Sequence, residues 1–521
     1  MDRGAAAAGS SLVPLDVKER CFVSQPVSAP SPAFVQQLNF HARDASNEAA
    51  ALQAAFALGL FGHLPETGSG EPVSLETLAK RVGGTWRGTR SVVEPLVALG
   101  FVHLEEGRGY SLRASTVAFL RDEAFTTRLK EARRWWHPLA LLSQAVRGGG
   151  PVEWGGESWD VLGWYRALFL SPAPSIPSAE ARDFHDRFAR NPARTLALVT
   201  AAELDVLVKL VRGPVPLEVL AREVGASAEA LEVLLGALAA MGIVQAQETG
   251  WGFTEAAGRA LDAQSLPYFQ RALPATMAYW EALGHLDEAV REQRFRLDLR
   301  DPETARRIYQ ENASRISSIF ASHLRLSRQA ATLVRSMRPL AQARVLDVGT
   351  GSGVWGAAFG LADPTTHVTY LDSPHVLDAV RPHLAKLKLE ARSELWAGDC
   401  LSVDYGESRY DVILLPQIIP ALPPSELPSF FARLARALRP GGLLLISGYL
   451  LTDRRDGPLD ALYFALRRYV TNEGDVLSLP EFRALLGPVG LTDARGFDMP
   501  IQQVVIAHRG DVAWPDVAPS A

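Results

Sequence analysis

Residues 345–353 read VLDVGTGSG: a short β-branched run ending at Asp347, then Gly349, Gly351 and Gly353, with a helix-like segment behind. This pattern constrains the fold most, because glycine lets a chain turn sharply after a strand and lets backbone amides approach a ligand with no Cβ in the way. A tight turn without a ligand would look the same, so the downstream pattern must decide. VTYLDSP (368–374) gives a second strand ending in Asp372, ELWAGDC (394–400) a third ending in Asp399, and YDVILL (410–415) a fourth whose apolar run suits burial on both faces. RALRPGGLLLISGYL (436–450) is expected to close a helix on Pro440-Gly441-Gly442 and to open a fifth strand. Strands alternating with helices predict an α/β, doubly wound parallel sheet.

These motifs resemble those of the class I S-adenosylmethionine-dependent methyltransferases. More narrowly, the chain resembles the winged-helix-containing O-methyltransferases of plant and bacterial secondary metabolism, over roughly residues 190–510. LDVGTGSG matches the family's cofactor loop, LDSPHV its ribose-binding strand end, AGDC its adenine-side acid, and LRPGGLLLI the start of its fifth strand. The resemblance implies S-adenosyl-L-methionine as cofactor and a Rossmann-like domain. Asp347, Gly349, Gly351 and Gly353 would surround the methionine end and Asp372 the ribose. Asp399 would accept from the adenine amino group, Cys400 would form the adenine edge, and Gln417 would lie near the methyl donor. His375 would be structural or adjacent to the cofactor. A nicotinamide enzyme is the rival, but its G-x-G-x-x-G spacing wants glycine or alanine where this chain has Val354.

The length of 521 residues and 47% apolar composition supply two or three cores. A net charge of −5 gives no global attraction for nucleic acid or an anionic membrane, so a small-molecule substrate is expected. Cys21 and Cys400 are too few for a disulfide framework and lack metal-ligand spacing; no metal and a cytoplasmic setting are expected. No run reaches the roughly 18 apolar residues that span a bilayer.

The chain also repeats itself. EPVSLETLAKRVGG, beginning at Glu71, lies over GPVPLEVLAREVGA, beginning at Gly213. In this register Leu75, Leu78, Ala79, Val82, Gly83, Leu96 and Gly100 fall on Leu217, Leu220, Ala221, Val224, Gly225, Leu238 and Gly242. Each copy reads as a short helix, a glycine turn, a longer helix and a two-stranded wing, preceded by another helical segment, which is a winged-helix pattern. Groove readers need basic side chains, whereas the longer helix of the second copy carries none and that of the first only Arg87 and Arg90. A dimerisation or scaffold role is expected instead. The expected organisation is a flexible leader (1–35), a first, extra winged-helix dimerisation-like unit (36–185), a second such unit with linker helices (186–335), a Rossmann-like catalytic domain (336–512) and a tail (513–521). The result would be a homodimer, or a monomer holding an intrachain pseudo-dimer. Trp135, Trp136, Trp154, Trp159, Trp164 and Tyr165, between the copies, suit either a helical core or an aromatic pocket.

Methyl transfer to oxygen requires that the acceptor lose a proton, and ionising a phenol of pKa about 10 at pH 7 costs roughly 4 kcal/mol. The family resemblance implies a histidine just after strand four, but LLPQIIPALPPSEL puts Pro420 there. Three readings follow: an acceptor that ionises easily or is an amine, thiol or activated carbon; a substitute base; or a non-methylating use of the cofactor. His323 and Glu473 are the candidate bases, and Tyr309 and Tyr463 the candidate substrate-lining residues.

Overall fold

The computed structural model describes residues 31–172, 175–263, 265–313, 316–499, 502–510 and 514. Seven strands form the catalytic sheet: β1 (Arg344–Val348), β2 (His367–Asp372), β3 (Ser393–Ala397), β4 (Tyr410–Pro416), β5 (Leu438–Gly448), β6 (Leu491–Phe497) and β7 (Gln503–Arg509). Their order is β3-β2-β1-β4-β5-β7-β6, with β7 antiparallel to both neighbours. β4 is buried along its whole length, as its apolar run demands. The order reverses between β1 and β4, which places a crevice at the carboxyl ends of those strands. One detail differs from expectation: the preceding helix stops at Ala437, and Pro440-Gly441-Gly442 already belongs to β5, where the pairing with β4 shifts register.

Two helical units precede the sheet, and their elements correspond. A π-helical turn (Phe40–Asp44) leads into α1 (Ala45–Ala57), as a second (Asp186–Arg190) leads into α3 (Asn191–Glu203). Helix Leu75–Val82 stops on Gly83 and Leu217–Val224 on Gly225, both left-handed at φ 68° and 69°, a conformation that favours glycine. The longer helices, α2 (Trp86–Ala98) and α4 (Ala228–Ala240), are capped by Thr85 and Ser227, whose hydroxyls accept from the amides of Gly88 and Ala230. The wings pair Val102–Glu105 with Gly109–Leu112 and Val244–Gln247 with Gly250–Phe253.

The units pack through equivalent surfaces. α1 lies along α3, and Trp136 stacks on Trp280 at 4.5 Å. The Trp136 indole donates to the Trp280 carbonyl (3.1 Å) and the Trp280 indole to the Trp136 carbonyl (3.2 Å). Such reciprocity is what a two-fold interface between identical subunits produces, here within one chain. The repeat therefore extends past the wings. Trp136, Leu139, Leu142, Ala145, Val146 and Arg147 fall on Trp280, Leu283, Leu286, Ala289, Val290 and Arg291, a match the wing alignment had not reached.

One hydrophobic core runs through both units and takes in Leu466, Tyr469 and Val470 of α7 (Leu459–Val470), the helix after β5; the helices entering and following β1 are α5 (Ile316–Met337) and α6 (Val354–Ala362). α2 packs on α7, so the helix that would enter a DNA groove in a nucleic-acid reader is covered by the catalytic domain. Arg87 donates to the Gly474 carbonyl and lies over the Tyr469 ring, and Arg90 pairs with Asp475. Helical structure begins at Pro32, inside the expected leader; residues 1–30 lie outside the described residues. In the expected tail, Trp514 packs edge-on against His508 at 4.6 Å.

Candidate active site

The crevice is built on the turn between β1 and α6. Gly349, Gly351 and Gly353 all have positive φ (65°, 53° and 74°). A Cβ at Gly349 would lie 2.6 Å from Ile418 and one at Gly353 2.7 Å from Val380, so these two are needed for packing as well as for turning. At Gly351 a Cβ would meet only the Gly349 carbonyl at 3.9 Å: this residue faces open space. The amides of Gly349 and Thr350 donate to the Leu371 carbonyl, tying the loop to the end of β2. There Asp372 accepts from the Gly351 amide (2.9 Å) and, through its other oxygen, from the Ser373 amide (2.7 Å). Burial raises its pKa, with the two amides opposing.

Asp347 is fully buried; one oxygen accepts from the Gly356 amide at 2.9 Å and the other has no partner. Burial pushes its carboxyl up to about 7, the Thr350 hydroxyl and then the Gly356 amide opposing and Asp372 adding. A cation bound beside it would reverse that shift. Asp399 is turned toward the Leu401 amide (2.9 Å), and the Cys400 thiol beside it is pushed up to about 12 by burial and then by Asp399. The Cys400 carbonyl accepts from Tyr405 at 2.7 Å. At the end of β4, Gln417 adopts φ 59°; its amide side chain donates to Gln502, which donates in turn to Ser447, and its own Oε1 is buried without a partner. Two orphaned acceptors, Asp347 Oδ1 and Gln417 Oε1, thus bracket an open glycine turn. A cationic ligand with donor groups fits that arrangement. His375 Nε2 lies 3.4 Å from the Ser373 hydroxyl, beside the ribose-side acid.

These features match known proteins. The O-methyltransferase domain family matches residues 285–492, and the O-methyltransferase dimerisation domain family matches twice, over 41–122 and 189–262. The chain belongs to the S-adenosylmethionine-dependent O-methyltransferases. This methyltransferase is 28% identical to acetylserotonin O-methyltransferase of Bos taurus over 57% of its own length and 89% of the relative's. It is 26% identical to 3-hydroxy-5-methyl-1-naphthoate 3-O-methyltransferase of Streptomyces sahachiroi over 58% and 87%. It is also 27% identical to bacteriochlorophyllide d C-20 methyltransferase of Chlorobaculum tepidum over 54% and 82%. The fold is that of human N-acetylserotonin methyltransferase, solved with its cofactor (TM-score 0.55, 22% identity, 65% of this chain and 100% of that one). Each relative is matched almost whole by little more than half of this methyltransferase, and the dimerisation domain is present twice.

The acceptor side departs from the sequence expectations. A cavity of only about 10 Å³, room for one water, lies at the ends of β4 and β5, lined by Ile419, Pro420, Ser447, Gly448, Tyr449 and Asp475 among others; His323 is not among them. His323 is half-buried on α5, one turn before the core residue Leu326. Glu473 is buried against Arg468 (2.8 Å) and accepts from the Thr471 hydroxyl (2.6 Å), which commits its carboxylate to anchoring the loop. Gly474, next to it, leaves no room for a side chain: a Cβ would lie 2.2 Å from the Leu422 carbonyl and 2.8 Å from that of Pro420.

Tyr463 does not line the cavity. It is 1% exposed, and its hydroxyl donates to Glu48 of α1, because α7 turns this face to the first unit. Tyr309 lies on helix Pro302–Ala313, but its side chain is outside the described residues.

Sequence reasoning missed what the first unit contributes. Glu48, 0% exposed, accepts from Arg187 (2.8 Å) and Asn191 (3.0 Å) of the second unit and from Tyr463 of the catalytic domain, joining three segments at one carboxylate. Arg43 donates to the Tyr449 hydroxyl at 3.0 Å, and Arg455 bridges Glu94 (2.7 Å) and Glu481 (2.8 Å). A charged helix in a single-copy unit gives no sign of which surface it will meet. The signal available was the contrast between copies, since α2 keeps Arg87, Arg90 and Glu94 where α4 has Glu229, Glu232 and Gly236. Trp135 stacks on Trp164 at 4.7 Å, while Trp136, Trp154 and Trp159 line a cleft of about 380 Å³ between the units. Among the described residues no helix is long and apolar enough to cross a membrane.

Proposed function

We propose that this methyltransferase O-methylates a small aromatic acceptor that reaches the crevice already ionised, in a site completed by its own first unit. The observation that carries the reading is the pairing of an intact cofactor turn with Pro420 just after β4, where the family resemblance implies a histidine. When bound, S-adenosyl-L-methionine supplies an electrophilic methyl carbon. An acceptor oxygen whose proton has already gone to solvent would form the new bond to that carbon as the carbon–sulfur bond breaks, with S-adenosylhomocysteine as the leaving product. Asp372 would hold the ribose hydroxyls and Asp399 the adenine amino group. Cys400 would wall the adenine edge. Asp347 and Gln417, with their free acceptor oxygens, would lie nearest the methionine end.

α7 supports the aromatic wall of the cavity. The Arg467 guanidinium lies 5.5 Å from the centres of the Tyr279 and Phe464 rings, and Phe464 packs at 4.8 Å on Tyr449, which lines the cavity. The guanidinium thus holds the rings behind Tyr449 in place. The relatives' acceptors, an acetylserotonin and a hydroxynaphthoate by name, support an aromatic hydroxyl. The C-20 methyltransferase among the relatives favours a second reading, transfer to an activated carbon, for which Pro420 would equally suffice.

A panel of phenols of graded acidity tests this. Turnover should fall as acceptor pKa rises above the assay pH, and Pro420→His should extend the range; a rate independent of acceptor pKa would defeat the ionised-acceptor reading. The reciprocal Trp136–Trp280 contact supports a monomer whose two units pair internally, and sedimentation as a tight dimer would defeat that. Its cysteine usage fits a reducing cytoplasm.

A further inference from the structure

The cleft between the two units carries a second constellation. His137 Nδ1 lies 3.2 Å from Glu281 Oε2, and His285 Nε2 lies 3.0 Å from Glu281 Oε1. The ligand-capable atoms of the three residues all fall within 4.8 Å of one another. The other nitrogen of His285 is 3.0 Å from Glu288 Oε1, and the His137 ring is stacked on Trp154 at 5.0 Å and 8°. Gly284 keeps the helices close, since a Cβ there would lie 2.7 Å from the His137 ring.

We propose that His137, Glu281 and His285 form a site for a borderline divalent transition ion such as zinc, which cross-links the two units at their pseudo-two-fold axis. Two imidazoles and a carboxylate are zinc's customary ligands, and a tetrahedron with bonds of about 2.0–2.1 Å has edges of about 3.3 Å, close to the two histidine–carboxylate separations of 3.2 and 3.0 Å. Glu288 supplies the outer carboxylate that fixes the ring of a metal-bound histidine and leaves its Nε2 lone pair for the ion. Both nitrogens of His285 face carboxylate oxygens, Glu281 and Glu288, so the ring is held in one orientation from two sides.

The placement has a further logic. His137 and Glu281 occupy equivalent positions in the repeat, each just after the tryptophan of the reciprocal pair. In a true homodimer identical residues would meet there. Within one chain the two copies have diverged into complementary ligands. The remaining coordination position opens on the cleft, where water can complete it.

The test uses the whole chain, stripped with chelator and titrated with Zn²⁺, with Co²⁺ as the spectroscopic probe. The expected result is one ion per chain at micromolar affinity or tighter, a visible Co²⁺ spectrum of a four- or five-coordinate nitrogen and oxygen site, and a higher thermal midpoint. Each should be lost in His285→Ala and in His137→Gln, with circular dichroism and S-adenosylmethionine affinity unchanged. No saturable one-to-one binding in the wild type overturns the site, as does equal binding in both variants. Because the readout is metal binding and the control is cofactor affinity, failure here leaves the methyltransferase reading standing.

Discussion

The two halves of the catalytic crevice are made differently. The cofactor half is backbone: three left-handed glycines, the amides of Gly351, Ser373 and Gly356, and two acids at strand ends, all within one sheet and close in sequence. The acceptor half is assembled at long range. The wall around Pro420 and Tyr449 is backed by Arg43, Arg87, Arg90 and Glu94 from a unit that begins some four hundred residues earlier, and by Tyr279 from the second unit. A half built locally can keep its function while its surroundings change. A half built from three segments can be re-specified by altering any of them, which suits a family whose members share a cofactor and differ in acceptor.

If that division holds, the largest effect belongs to the junction. Glu48→Ala would leave the Arg187 guanidinium, the Asn191 amide and the Tyr463 hydroxyl around a buried void, at a cost of about 3–5 kcal/mol. Urea unfolding followed by tryptophan fluorescence should show it. The repeat offers a control: Arg194, at the matching place on α3, bonds the half-exposed Asp186 at 2.6 Å, and Arg194→Ala should cost far less. Equal losses would remove the distinction between the carboxylate at the junction and an arginine at the margin of its network, bonded to Asn191 at 2.8 Å.

Next comes the cofactor half itself. Asp372→Ala should weaken S-adenosylmethionine binding roughly a hundredfold, the loss of charge-assisted hydrogen bonds worth about 3 kcal/mol. Acceptor affinity, measured in product-inhibition kinetics, should hardly move. Arg90→Ala is the mirror experiment. It removes the ion pair to Asp475, which lines the small cavity beside Pro420, while Arg455 stays beside Asp475 at 3.5 Å, so the stability cost should be about 2 kcal/mol. Here the acceptor KM should rise with cofactor Kd unchanged. Glu232→Ala, at the same place on exposed α4 surface, should stay within about 0.5 kcal/mol.

The same division decided what could be read in the chain. VLDVGTGSG, Asp372 and the β4 run announce themselves because strand, turn and acid are consecutive, and the sheet order follows from their alternation. Tyr463 could not be placed because its partner is remote: 415 residues separate it from Glu48, and only the register of α7 against α1 reveals the bond. Glu473 is held by near neighbours, Arg468 five residues away and Thr471 two away, but a linear sequence does not show that the loop folds its carboxylate inward. The repeat was legible over its wings, where the glycines align. It was overlooked at Trp136 and Trp280, where six identities lie in a stretch interrupted by a proline and a glycine. The metal-competent trio illustrates the limit best, since its ligands come from the two copies and no linear spacing connects His137 with His285.

The smallest and most diagnostic effect is a pH dependence confined to the cofactor half. Burial holds the Asp347 carboxyl at about 7, above its ordinary value of 3.8, so in the empty protein it contributes stability that is full below pH 4 and is lost as the pH rises through 7. A cationic sulfonium nearby favours the ionised form, so binding should release a proton near neutrality. Between pH 8 and pH 6 the affinity for S-adenosylmethionine should fall by up to about tenfold per unit below the pKa. S-adenosylhomocysteine, a neutral thioether, should show a flatter profile, and Asp347→Asn should abolish the difference between the two. Calorimetric titration in buffers of different ionisation enthalpy reads the proton count directly. Parallel profiles for the two ligands would mean that the buried carboxyl does not sense the sulfonium charge, and its place at the methionine end would have to be given up.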